Sequence, residues 1–155
     1  MKANKNYTIE VIDSSNTQVK KDISKFMSCI FHEEQLIPES LLPIDHLEHK
    51  WWFIKNNDQI IATVAIWKTN NEWHWGRLGV HKNFRKKGIA KQLIEKSLND
   101  SFNSGIEVIK IDARDVTVKA ILKIGGDILG ERTTFYGLPI TPMEIKKHAF
   151  LLKRI

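Results

Sequence analysis

Arg85-Lys86-Lys87-Gly88-Ile89-Ala90 is the densest cluster of positive charge in the chain, and its flanks make it a candidate anion site. Ahead of it, Trp73 to Val80 is rich in aromatic and β-favouring residues and reads as a strand buried on at least part of both faces. Behind it, Ile89, Ala90, Leu93, Ile94, Leu98 and Phe102 recur with the spacing of one buried helical stripe. A strand passing through a Gly-containing cationic turn into a helix aims unpaired backbone N–H groups and the positive end of the helix dipole at one spot, which favours a phosphate. Gly88 matters most, because a side chain there would hold the backbone away from a diphosphate. Without those flanks the same residues would read as an ordinary solvated turn.

The elements that must position this loop follow from patterning. Tyr7 to Ile12 alternates as a first strand, and Ile23, Phe26, Met27, Ile30 and Phe31 mark a helix running to about Gln35, ahead of Pro38. Residues 36 to 50 read as a loop with one helical turn. Trp51 to Lys55 and Gln59 to Trp67 are apolar runs joined by Asn56-Asn57-Asp58, and Lys68-Thr69-Asn70-Asn71 returns the chain into the Trp73 strand, giving an antiparallel meander. Trp51, Trp52, Trp67, Trp73 and Trp75 all fall here and read as core and pocket wall, since basic residues do not interleave them as a base-stacking surface requires. Gly105 ends the long helix. Ile106 to Asp112 alternates as a strand, Asp115 to Ile124 is a short helix with Val118, Ile121 and Leu122 inward, and Gly125-Gly126 stops it. Ile128-Leu129 and a last strand near Met143 to Lys147 complete the sheet.

R-x-x-G-x-A between a strand and a helix resembles the acyl-CoA pyrophosphate loop of the GNAT superfamily of N-acetyltransferases. Gly76-Arg77-Leu78-Gly79-Val80 followed by Arg85-Lys86-Lys87-Gly88 is similar to the G-R-x-x-V…R-x-x-G run of the ElaA-like branch. Phe31-His32-Glu33-Glu34-Gln35 resembles its F-x-x-E-Q, and Gly137-Leu138-Pro139 with Met143 its late G-I-P…M. These separated patches keep their order over most of the chain, which is more specific than the loop alone. The resemblance implies an α/β fold of three layers, a mixed and mostly antiparallel sheet of about six to seven strands flanked by about four helices, with a wedge between two central strands. It implies a single N-acetyltransferase domain over residues 1–155, acetyl-CoA as cosubstrate, and a primary amine of a small molecule or protein as acceptor.

On the same resemblance, the Val80 N–H polarises the thioester carbonyl, while Leu78 and Gly79 pair their peptide groups with the pantetheine arm as an added strand would. Arg85, Lys86, Lys87, Gly88, Ile89 and Ala90 hold the phosphates. Many relatives carry a Glu base four residues before the valine, and here that position is Gly76. His74 shares its face at period two from Gly76 and Leu78, provided no bulge intervenes, and its ordinary pKa suits a base. Glu72 and Glu34 are the next candidates for the base, with Gln35 beside Glu34 on the acceptor side, and an inert wall histidine is the alternative. Ile121 stands where the branch places its thiolate-protonating Tyr, which leaves a slow enzyme, another acid such as Tyr136, or a domain that binds acyl-CoA without turnover. Arg114 replaces the usual Asn or Gln at the start of that helix and either contacts the cofactor or faces solvent.

Composition sets the outer limits. A chain of 155 residues with 42% hydrophobic and 27% charged content is the usual size and make-up of one globular domain. No apolar run approaches bilayer length, and Met1 to Asn6 lacks a secretory apolar core, so a cytoplasmic protein without membrane contact is expected, monomer or homodimer. Cys29 is the single cysteine and reads as a small buried hydrophobe on a helix. His46 and His49 flank Glu48 without a third ligand, so no metal is expected and both read as surface histidines. The net charge of +6 suggests nucleic acid, but Lys and Arg are scattered and a CoA's phosphates also call for a basic cleft. Nucleic acid is therefore not expected as a partner.

Overall fold

The computed structural model describes residues 7–13 and 18–154. The strands are β1 (Glu10–Asp13), β2 (Glu48–Asn56), β3 (Gln59–Thr69), β4 (Glu72–Val80), β5 (Val108–Arg114), β6 (Asp127–Ile128), β7 (Thr133–Phe135) and β8 (Leu138–Lys146). The helices are α1 (Gln18–Met27), α2 (Ile89–Asn103), α3 (Asp115–Lys123) and α4 (Lys147–Leu152). One mixed sheet runs β1-β2-β3-β4-β5-β8-β6, with β7 also paired to β8. Among the described residues only β4 and β5 run parallel. Among the described residues no helix is long and apolar enough to cross a membrane.

The meander forms because Asn57-Asp58 and Asn70-Asn71 take positive φ, as does Tyr136-Gly137 between β7 and β8, the left-handed pairs that two-residue hairpins require and that Asn, Asp and Gly adopt most readily. Two apolar layers cover the sheet. On one face, Trp52, Val64, Ile66, Trp75, Ile109 and Ile111 pack against Leu93, Leu98 and Phe102 of α2, Ile121 of α3 and Phe150 of α4. On the other, Trp51, Phe53 and Ala65 meet Ile23, Phe26 and Met27 of α1 together with Ile30 and Phe31. Burying each large apolar side chain contributes about 1.5–3 kcal/mol. The tryptophan indoles also set the seat of α2: Trp52 Nε1 donates to Asp100 Oδ2 at 2.8 Å and Trp75 Nε1 to Ser97 Oγ at 2.8 Å. A buried indole N–H without an acceptor is costly, so these bonds fix where the α2 N-terminus lies.

Several expectations shift. The α1 helix continues as a π-helical segment over Ser28–Glu34, ending close to the expected Gln35. Cys29 lies on it exposed rather than buried, because the wider turn carries it off the packed stripe that holds Ile30 and Phe31. His49 is 3% exposed, since β2 begins at Glu48, earlier than Trp51, and alternation turns it inward. Leu122 is exposed at 42% while its neighbour Ile121 is fully buried, because α3 is too short to bury more than one narrow stripe. The last strand begins at Leu138, five residues before Met143. Among the described residues the sheet has eight strands, because the short β7 adds to those expected while β6 falls at the expected Ile128-Leu129.

Candidate active site

The site is built where β4 and β5 part. They pair only over Trp73–Trp75 and Ile109–Ile111 and then diverge. The cause is a bulge: the β3–β4 register slips between Thr63 and Ala65, and Arg77 sits at φ 58. An extra residue there bends the strand away from its parallel neighbour. The bulge also corrects the face assignment. Gly76 and Arg77 both turn toward Trp67, whereas Leu78 packs into the α2-side layer and no longer shares the face of His74.

Beyond the bulge the strand regains its alternation. The His81 N–H donates to the Ile61 carbonyl at 2.7 Å, so Ala62 and Val80 form a non-bonded pair and the N–H and C=O of Val80 point to the open side of β4. Arg85 Nε caps that carbonyl at 2.9 Å. Arg85 is thus a brace at the strand end. Gly79 faces the π-helical segment, where a Cβ would lie 3.2 Å from Ile30 and Phe31.

The loop then winds through Lys86 at φ 63 and Gly88 at φ 80, the latter capping α2 in the left-handed region. Exposed Lys86 and Lys87 precede buried Ile89 and half-buried Ala90. Within the helix the Gly88 carbonyl accepts from Gln92, and the N–H groups of Ile89, Ala90 and Lys91 have no acceptor inside the helix. A run of backbone donors at a helix start, beside two lysines, suits a diphosphate.

On the α1 side of the split lies a cavity of about 200 Å³, walled by Phe31, Ile37, Leu41, Leu42, Trp67 and Phe135. Loop 36–50 does form part of its roof, and the β7–β8 hairpin closes another side. His74 lines it and is stacked on Trp67, with ring centroids 6.1 Å apart and 15° between planes. Glu72 Oε2 is 3.9 Å from His74 Nε2, too long for a hydrogen bond and within ion-pair range if the ring is protonated. Glu34 ends the π-helical segment, and its side chain lies outside the described residues. Ile121 is fully buried in the α2-side layer, and Tyr136 is exposed beside Phe135, so neither faces the cavity.

Three cations in the cavity wall complete the electrostatics. Arg77 donates to the Leu41 and Leu42 carbonyls at 2.9 and 3.2 Å and lies 4.8 Å from the Trp67 ring centre. Burial draws its guanidinium below the ordinary arginine range. Lys110, across from His74 in the parallel register, donates to Glu144 at 2.8 Å. Its hydrogen bond to Glu144 holds that ammonium above the ordinary lysine range. Arg114 closes the far end. Lys110 and Arg77 escaped sequence reasoning; period-two alternation of β5 could have found Lys110, but nothing local marks the bulge that turns Arg77 inward.

Comparison with known proteins agrees with this geometry. The GNAT acetyltransferase family model matches residues 18–121. No curated protein matches the chain in sequence. In structure it is similar to ElaA of Escherichia coli (TM-score 0.79, 18% identity, 91% of this chain and 100% of that one). It is equally similar to an acyl-CoA N-acyltransferase from Pseudomonas aeruginosa (TM-score 0.79, 14% identity, 90% and 99%). A CoA-dependent acyl-homoserine lactone synthase, BjaI, follows at TM-score 0.74 and 13% identity, over 96% and 88%. With a parted β4 and β5, a backbone-lined loop at the start of α2 and a family match over most of its length, the chain belongs to the GNAT family of acetyltransferases.

Proposed function

We propose that the protein is an acetyl-CoA-dependent N-acetyltransferase that acetylates a primary amine of a small molecule or an exposed protein residue by direct transfer. One arrangement carries the reading: His74 faces a cavity that opens onto the β4–β5 split, and the split leads to the donor-rich start of α2. Acetyl-CoA supplies a thioester carbonyl open to attack by an amine. Lys86, Lys87 and the N–H groups from Gly88 to Lys91 bind the phosphates. Leu78 and Gly79 align the pantetheine along β4, and the Val80 N–H, which the alternation points into the split, polarises the carbonyl. His74 takes the proton that the amine must lose, with Glu72 favouring the imidazolium that forms. The C–N bond forms as the C–S bond breaks, and a thiolate with an ordinary pKa of about 8.5 leaves without a dedicated acid.

A second reading, an acyl-CoA-binding domain without turnover, is favoured by Gly76 and the buried Ile121 standing at the positions of the relatives' base and acid. Two measurements decide. CoA at a hundred times its Kd should stabilise the fold by about 2.7 kcal/mol, and an unchanged melting temperature would remove both readings. Amine-stimulated release of free CoA from acetyl-CoA then supports transfer, and tight binding with no stimulation across a broad amine panel supports the sensor.

A further inference from the structure

We propose that Arg114 is a carboxylate anchor, so that one of the two substrates meeting in this cavity carries a carboxylate in addition to its reacting group. The inference rests on the acyltransferase reading and names the substrate class of the same site. Arg77 in the cavity wall is satisfied by two carbonyls and a ring, and Lys110 by Glu144. Arg114, half-buried at the end of β5, has neither a hydrogen bond nor an ion pair among the described residues. Asp112, two residues earlier on the same face, makes no ion pair with it. Burial alone lowers the Arg114 pKa, with no carboxylate acting to raise it.

Withdrawing a guanidinium from water without a partner is unfavourable, and the planar fork of an arginine matches a carboxylate in two parallel hydrogen bonds. A monoanion suits the cavity better than a phosphate dianion, because Asp112 also lines it and would oppose the second charge. Position agrees. Arg114 lies four residues beyond Lys110, the partner of His74, or roughly 13 Å along the strand. It also stands across the split from the Leu78–Val80 segment. The carboxylate therefore belongs either to the acceptor, at a distance from its amine, or to a dicarboxylic acyl group.

The test compares matched pairs by calorimetry. In the acceptor arm, N-acetylated ω-amino acids of increasing chain length and their primary amides, which hold the carboxylate away from the acylated nitrogen, are titrated into the CoA-loaded protein. In the acyl arm, succinyl-CoA is compared with butyryl-CoA on the free protein. The carboxylate member should bind at least tenfold tighter in one arm, and Arg114→Ala should erase the difference while Arg114→Lys restores part of it. Equal affinity within the pairs of both arms, or a preference that survives Arg114→Ala, overturns the proposal. Thermal stabilisation by CoA, measured alongside on wild type and Arg114→Ala, keeps the two claims apart: its absence in wild type removes the cofactor reading, whereas its presence with no carboxylate preference removes only the anchor.

Discussion

A Cβ built on Gly76 would lie 2.9 Å from Cη2 of Trp67, so the indole fills the space that a side chain at position 76 would need. The same ring stacks on His74 and carries the guanidinium of Arg77. The absence of a glutamate at 76 and the presence of a tryptophan at 67 are thus one feature, with His74 stacked on the same indole beside it.

This coupling predicts that Gly76→Glu will destabilise the protein by about 1–3 kcal/mol, the usual effect of overpacking. Trp67→Ala should relieve it, and a double-mutant cycle read by thermal or urea melts should show an interaction of about 0.5–3 kcal/mol. Additive effects would mean that the two side chains do not compete for one space.

His74→Ala should lower amine-dependent CoA release by about 10²-fold or more without weakening CoA binding, since a positioned base typically contributes 10² to 10⁴. The wild-type rate should rise with pH through the ionisation of the base, and that limb should vanish in the variant. An unchanged rate moves the role to Glu72 or Glu34, or to selection of the amine that is already neutral.

Gly88→Glu should abolish thermal stabilisation by CoA. The position has φ 80, where a non-glycine residue costs about 1–2 kcal/mol, so a modest loss of stability is expected as well. Gly88→Ala carries the same strain without the charge and should keep part of the CoA effect. Wild-type affinity in Gly88→Glu would place the phosphates elsewhere.

Much of this site could be read in the sequence, because the loop, the meander and the long helix rest on local signals: Gly88, the paired Asn turns, and the apolar stripe from Ile89 to Phe102. What escaped depends on long-range packing. A bulge at a non-glycine Arg77 leaves no mark in the pattern of β4, yet it turns Arg77 toward Trp67 and packs Leu78 against the α2-side layer. His49 looked like a surface residue until the start of β2 moved to Glu48, where its Nδ1 bonds the Leu47 carbonyl at 2.7 Å. Ile121 could be aligned with a missing tyrosine, but only the fold shows it pressed toward Gly126, where a Cβ would collide with its Cγ2.

The Lys110–Glu144 pair should appear in the pH dependence of stability. The hydrogen bond from Lys110 holds the Glu144 carboxyl below the ordinary glutamate range, so its contribution is complete above about pH 4.3 and is lost as the pH falls through the folded-state value. Lys110 is held above its ordinary range, so on the alkaline side the contribution is complete below about pH 10.4 and is lost as pH rises through its folded value. Melting curves of wild type and Glu144→Gln should differ most near neutrality and converge in acid. A constant difference down to about pH 2 would mean that Glu144 acts through packing.

Arg77 ties the roof of the cavity to β4. Its backbone carbonyl accepts from the Thr63 hydroxyl at 3.0 Å, which steadies the bulge, while its side chain holds the Leu41 and Leu42 carbonyls over Trp67. Loop 36–47 supplies the cavity wall through Ile37, Leu41 and Leu42, so releasing it should alter acceptor binding before it alters the handling of CoA. Arg77→Ala removes two hydrogen bonds from a charged donor, each worth about 1.5–3 kcal/mol, and the stack on the indole. It should raise the acceptor KM several-fold or more, with the CoA-induced shift in Tm retained and faster proteolysis in the 36–47 loop. Arg77→Lys keeps the charge but not the fork, so it should fall between wild type and alanine. A fall in kcat with an unchanged acceptor KM would show instead that Arg77 serves the bulge, and through it the Val80 N–H, more than the roof.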